Sequence, residues 1–253
     1  MRNVLAIAQK ELRSYFSSPM AYVIIGFFLL PFGVFFYLYL QAFVQQSLQM
    51  AQAGGSININ QQVIRYVLQN ASVIILFIMP MITMRTYSEE KRSGTIELLL
   101  TSPISDVEII LGKFFGALGL YGAMLAVTLC YMAILFVYGS PEWRPLVAGY
   151  LGLLLMGGTF LSIGLLISST TSNQIVAGVV TFVVFLLLWI IGWFADSAGP
   201  TLGPITSYLS ITEHFDDFSK GIIDTKHVIY YLSFITFGLF LTAKSVDTER
   251  WRG

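Results

Sequence analysis

Apolar residues run almost unbroken through six stretches, near residues 20–40, 66–84, 114–138, 146–167, 175–194 and 228–243. Most are long enough for a helix to cross ~30 Å of hydrocarbon, and in lipid a single spanning segment satisfies its backbone only as a helix. The pattern predicts an all-α membrane protein, residues 1–253 forming one transmembrane domain of six helices. Residues 66–84 reach bilayer length only by starting at Tyr66, which carries Gln69 and Asn70 into an interface; amides there either line a pathway or snorkel, and snorkelling is the simpler reading. Pro31 predicts a kink in the first span, tolerated where neighbours or water satisfy the freed carbonyl. The fourth span carries Gly149, Gly152, Gly157, Gly158 and Gly164, small residues that allow close helix approach in lipid. A seam for a neighbouring helix accounts for them better than a hinge.

The polar stretches between the spans differ in kind. In residues 1–18, Val4, Leu5, Ala8, Leu12, Tyr15 and Phe16 recur at helical spacing, opposed by Arg2, Gln9, Lys10 and Arg13. That pattern suits an amphipathic helix at a membrane interface, and equally an ordinary helix leading into the first span. Residues 41–70 turn rich in Gln, Asn and Ser around Gly54 and Gly55, predicting a loop or two short helices outside the bilayer. Residues 85–113, RTYSEEKRSGTIELLLTSPISDVEIILGK, concentrate charge between two apolar runs and must face water. Within them, residues 94–100 predict a short helix with Glu97 in its first turn, where a carboxylate suits the positive helix end, and Pro103 stops it. Ser105 and Glu108 form a capping box for the next long helix. A short helix bearing Leu98, Leu99 and Leu100 either packs on its own bundle or docks on a partner, and docking is the favoured reading.

In residues 195–227, Glu213, Asp216 and Asp217 gather beside His214. Their spacing matches no zinc signature, so a solvated acidic loop is the expectation.

Composition confirms the solvent: 56% of residues are hydrophobic and 11% charged, against about 25% charged in soluble domains. Net charge is zero and no basic arm is present, which argues against nucleic acid as a partner. The lone Cys130 permits no intrachain disulfide and no thiol metal site. There is no phosphate loop, no His-Glu-x-x-His and no nucleophile elbow, so the chain is not expected to be an enzyme, and no cofactor is expected in it. Ionisable residues are nearly absent from the spans, which counts against a proton- or sodium-coupled carrier.

Arg2, Lys10, Arg13, Arg85, Lys91, Arg92, Lys113, Lys244, Arg250 and Arg252 fall on one side of the six spans. Only Arg65, Arg144, Lys220 and Lys226 fall on the other. The positive-inside rule then places both termini and residues 85–113 in the cytoplasm.

Glu90, Gly94, Thr95, Glu97, Leu98, Leu99 and Pro103 form a Glu-x-x-x-Gly-Thr-x-Glu-Leu-Leu pattern followed by proline. With six spans and an amphipathic first helix, the whole chain resembles the permease subunits of ABC-2 type transporters, the type V exporter-like fold. Pro103 stands one position later than in the family pattern. Ser168-Ser169, residues 173–177, the 187–192 run and Arg250-Trp251-Arg252 most resemble the branch associated with gliding motility. The resemblance implies a half-transporter in a bacterial inner membrane, paired with a second permease as a homo- or heterodimer. It also implies cytosolic ABC ATPase subunits that bind ATP and Mg²⁺, and it leaves room for an extracytoplasmic accessory protein. The segment 94–100 would be the coupling helix, Glu90 and Glu97 its polar contacts, with Gly94 and Thr95 at its start and Leu98, Leu99 and Leu100 its apolar insert. A membrane scaffold worked by ATPase-driven motion, without a transported substrate, is the alternative.

Overall fold

The computed structural model describes residues 2–55, 57–96, 104–194 and 199–250. The described residues are 88% helical and contain no strand. In order, the helices are α1 (Arg2–Ser17), α2 (Pro19–Gln52), α3 (Arg65–Thr83), α4 (Ser88–Ser93), α5 (Asp106–Tyr138) and α6 (Trp143–Thr170). Then come α7 (Gln174–Ile190), α8 (Gly199–Leu209), α9 (Ile211–Ser219) and α10 (Thr225–Arg250). A π-helical turn, Asn60–Ile64, leads into α3 and a 3-10 turn, Ile191–Phe194, follows α7. Six segments are long and apolar enough to cross a membrane: Pro19–Gln52, Asn60–Ser93, Asp106–Tyr138, Trp143–Thr170, Gln174–Phe194 and Thr225–Thr248.

The first polar stretch departs from both expectations, a loop or two short helices. α2 runs unbroken through Pro31 to Gln52, where Gly54 turns the chain at φ 78. Its 34 residues span about 51 Å at 1.5 Å per residue, well beyond the hydrocarbon. Polarity at Gln41, Gln45 and Gln46 ended the apolar run but not the helix, because Gln, Ala, Leu and Met are all good helix formers.

At the centre lie α3 and α6, each with 67% of its most apolar window buried, against 22% for α2, 17% for α7 and 22% for α10. The glycine seam explains how α6 takes that position. A Cβ at Gly157 would sit 2.2 Å from the Tyr121 ring of α5, and one at Gly164 would sit 2.3 Å from Thr83 Oγ1 of α3. Tyr121 cannot swing aside, since it is fully buried and its hydroxyl donates to Leu153 O at 2.7 Å. Gly152 receives Phe218 and Phe215 of α9 in the same way.

The second correction falls in residues 195–227. Among the described residues this stretch is not a solvated loop but two helices, and α9 buries Ile211, His214, Phe215, Phe218 and Ser219. Its acids and aromatics alternate at helical spacing, with Ser210 capping the first turn by accepting from Glu213 N–H at 3.4 Å.

α1, α4, the α6–α7 turn and the last turns of α10 lie at one end of the bundle. The α2–α3 connection, the α5–α6 turn and α8–α9 lie at the far end.

Gly157→Ala should cost about 1–3 kcal/mol by overpacking, lowering the thermal midpoint in detergent by several degrees. Gly26 has nothing within 4 Å of an added Cβ, so Gly26→Ala should match or exceed the wild-type midpoint. Equal midpoints for the two variants would contradict the seam.

Candidate functional site

At the termini end, the α3–α5 connection is built around one lysine. Lys113 stands on the third turn of α5 with its side chain 1% exposed. Burying an ammonium without partners is prohibitive, and three elements supply them. Its Nζ donates to Glu90 Oε1 of α4 at 2.7 Å, to Thr86 O at 3.0 Å and to Glu11 Oε1 of α1 at 3.2 Å. The ammonium also lies 5.0 Å from the centre of the Tyr87 ring, within cation–π range. Glu90 Oε2 and the Tyr87 hydroxyl are buried beside this knot with no hydrogen-bond partner among the described residues.

α1 reaches Lys113 because α5 is flattened for it. Gly112, Gly116 and Gly119 face Ile7, Glu11 and Leu12, so α1 lies lengthwise along the first turns of α5, parallel to it. Asn3 Nδ2–H donates to both Glu108 oxygens at 3.2 Å, and that bond holds the Glu108 carboxyl below its usual range. The capping box expected from sequence is present: Ser105 Oγ accepts from Glu108 N–H at 3.3 Å, and Glu108 Oε2 accepts from Ser105 N–H at 3.4 Å.

A second clamp holds α4 from the other side. Ser168 Oγ, near the end of α6, accepts from the Tyr87 and Ser88 N–H groups at 3.1 and 3.2 Å, and Ser88 Oγ donates to Ser168 O at 3.2 Å. Lys91 Nζ donates to Ser169 O, and Ser169 Oγ donates to Ser245 Oγ of α10 at 2.9 Å. Six residues of helix are thus tied to α1, α5, α6 and, through Ser169, to α10.

Sequence reasoning placed Gly94 at the start of a helix; the structure makes it the end of one. α4 carries Glu89 and Glu90 in its first turn and Lys91 and Arg92 in its last, matching the helix dipole. Gly94, at φ 71, closes it in the left-handed region that favours glycine. Thr95 Oγ1 contacts Ser93 Oγ at 2.9 Å and donates to Glu90 O at 3.4 Å. Glu90 turns its carboxylate inward to Lys113. Glu97, Leu98, Leu99 and Leu100, and the stop at Pro103, lie outside the described residues. Lys113, Glu11 and Ser168 went unremarked as site residues. The signal for Lys113 was available: a cation in the third turn from Ser105, on a helix apolar thereafter, must find an anion.

The acidic group at the far end stands beside a pair of buried histidines, to which Asp217 is hydrogen-bonded. His214 and His227 are 6% and 5% exposed. His227 Nε2–H donates to Asp217 Oδ2 at 2.8 Å and His214 Nε2–H donates to Tyr208 O at 3.0 Å, since both acceptors lack protons to give. The two Nδ1 atoms face each other at 2.6 Å. Zinc held at about 2.0–2.1 Å from each nitrogen would not fit between them. Burial, aided by the neighbouring His227 and Lys226, moves the His214 pKa down from its ordinary value.

The sequence model of the family described as "ABC-2 family transporter protein" matches residues 5–243 of the chain. No curated protein matches it.

Lys113→Ala leaves two carboxylates facing each other in a buried site and should cost about 3–5 kcal/mol, read as a lower thermal midpoint in detergent. Adding Glu11→Gln and Glu90→Gln to Lys113→Met should recover most of the loss; an unchanged midpoint for Lys113→Ala would contradict the knot.

His214 has a depressed folded-state pKa, so its contribution is complete above the unfolded value of about 6.5 and is lost as pH falls below that. The thermal midpoint should therefore drop as pH is lowered from about 7 to 5. His214→Phe, which keeps the stack on Tyr230, should flatten that dependence; a wild-type midpoint independent of pH would contradict the burial of His214 in its neutral form.

Proposed function

Because the chain belongs to the ABC-2 family of transporter proteins, matched over nearly its whole length, we propose that it pairs with a second permease and is driven by cytosolic ATPase subunits. As a member, it is a multi-pass integral membrane component of an ABC transport system, the part distinct from the nucleotide-binding subunit. ATP and Mg²⁺ belong to the ATPase partner. Ten lysines and arginines on the termini side against four on the other support a cytoplasmic location for both termini and for the α3–α5 connection. A bacterial inner membrane follows from the family resemblance.

The observation that carries the coupling role is the double clamp on α4. A helix of six residues held by Lys113 on one side and Ser168 on the other cannot move without moving α3, α5 and α6. A push delivered just beyond Gly94 is passed to the two central spans as a rigid displacement, the kind of two-state bias that nucleotide binding in a partner exerts. The segment 94–100 is the proposed contact, Leu98, Leu99 and Leu100 its apolar insert and Glu97 its polar one. Glu90, spent on Lys113, anchors that segment to the bundle.

Leu99→Pro and Glu97→Lys should each abolish permease-stimulated ATP hydrolysis in the assembled complex. The thermal midpoint of the isolated chain should not change. Comparing the ATPase rate of the purified complex with that of the ATPase alone makes the test, and full stimulation with Leu99→Pro would contradict the docking role.

A further inference from the structure

The far end carries two recesses that share a wall. One, of about 690 Å³, is lined on its apolar side by Leu40, Phe43, Val44, Ile134, Leu135 and Tyr138. The other, of about 330 Å³, is polar, lined among others by Gln61, Arg65 and Lys220. Asn58, Asn60 and Glu142 line both, so the two are one continuous groove with an apolar arm and a polar arm. The shared ledge is rigid: Asn58 Oδ1 accepts from Asn60 N–H at 2.8 Å, and Asn60 Oδ1 accepts from Glu142 N–H at 3.2 Å. These bonds pin the π-helical turn before α3 to the α5–α6 turn.

The apolar arm lies between the last turns of two spanning helices, α2 and α5. Val44, Ile134 and Tyr138 are 48%, 43% and 88% exposed along it, so it opens sideways. Its volume falls within the range of small-molecule sites.

The polar arm holds complementary unpaired groups. Arg65 gives Nη2–H to Asp216 Oδ1 at 3.0 Å, yet its buried Nε–H has no acceptor among the described residues. A buried donor left open in this way calls for a partner. Lys220 stands beside it, also paired to Asp216. Across the ledge, the exposed Glu142 carboxylate makes no ion pair among the described residues. A donor set for an anion and a free carboxylate for a cation thus flank one small recess.

We propose that this groove binds a phospholipid whose headgroup joins a phosphate to an amine, its chains in the apolar arm, its phosphate at Arg65 and Lys220 and its ammonium at Glu142. The match is of charge as well as polarity. An anionic lipid without the amine leaves Glu142 unpaired and places a negative headgroup beside it, while a neutral hydrophobic molecule leaves Arg65 Nε–H unsatisfied.

The test uses the full chain in nanodiscs of phosphatidylethanolamine and phosphatidylglycerol, doped with phosphatidylethanolamine carrying a photoreactive diazirine on its acyl chain. Cross-links mapped by mass spectrometry should concentrate on residues 40–44 and 134–142. Ile134→Trp, which fills the apolar arm, and Glu142→Lys, which repels the ammonium, should each cut that labelling by about tenfold, the loss expected of one charge-assisted contact. Both residues are exposed at the surface, and labelling on the lipid-facing patch of Ile229 and Phe237 should persist, reporting a folded, inserted chain. The same diazirine on phosphatidylglycerol should label residues 134–142 far less. Equal labelling by the two lipids, or labelling of residues 134–142 undiminished in both variants, would overturn the proposal.

Discussion

A lysine ammonium taken out of water dictates the arrangement at the termini end. Lys113 is 1% exposed, and the desolvation of its charge is offset only if anions and carbonyls close around it. Those groups come from three separate places in the chain, Glu11 on α1, Thr86 after α3 and Glu90 on α4. One charge thus fixes the first helix, the second span and the third relative to one another, where apolar packing in lipid is weakly directional. Glu11 also meets Lys10 at 3.5 Å, and the second Glu90 oxygen is buried with no hydrogen-bond partner among the described residues.

The rest of the bundle relies on shape. Between apolar helices in lipid there is no water to expel, so association rests on close packing and on a few hydrogen bonds. Gly157 and Gly164 let α6 touch Tyr121 and Thr83 at distances no larger residue permits. Ser168 then adds the hydrogen bonds that dock α4 on the end of α6. Together these place a short polar helix firmly against the two most buried spans.

How much of this was legible depended on the kind of signal. Apolar run lengths found all six spans, because lipid leaves a segment no alternative to a helix. The Ser105 and Glu108 box and the glycine seam were legible too, each being a local rule tied to residue type. Helix ends in water were not: Gln41, Gln45 and Gln46 read as a loop although nothing stopped α2 before Gly54. The fate of single charges was also hidden. Glu90 looked like a group offered outward, and Glu213, Asp216 and Asp217 like a solvated cluster, because sequence does not say which partner lies across space. Lys113 decides the first case and His227 the second. Most of the leucine-bearing helix that the sequence places over 94–100, from Glu97 onward, lies outside the described residues.

On the proposed reading, the membrane part of an ABC system receives motion generated in its ATPase partner. A connection that flexed would dissipate that motion, whereas one locked to α1, α5 and α6 would carry it into the spans. The rigidity of α4 is therefore the central claim, and hydrogen–deuterium exchange tests it most directly. The account predicts that amides of residues 84–93 are protected comparably to those of α3, and that Lys113→Met releases them while residues 148–165 stay protected. Exchange of 84–93 at the rate of an open loop in the unaltered protein would contradict it.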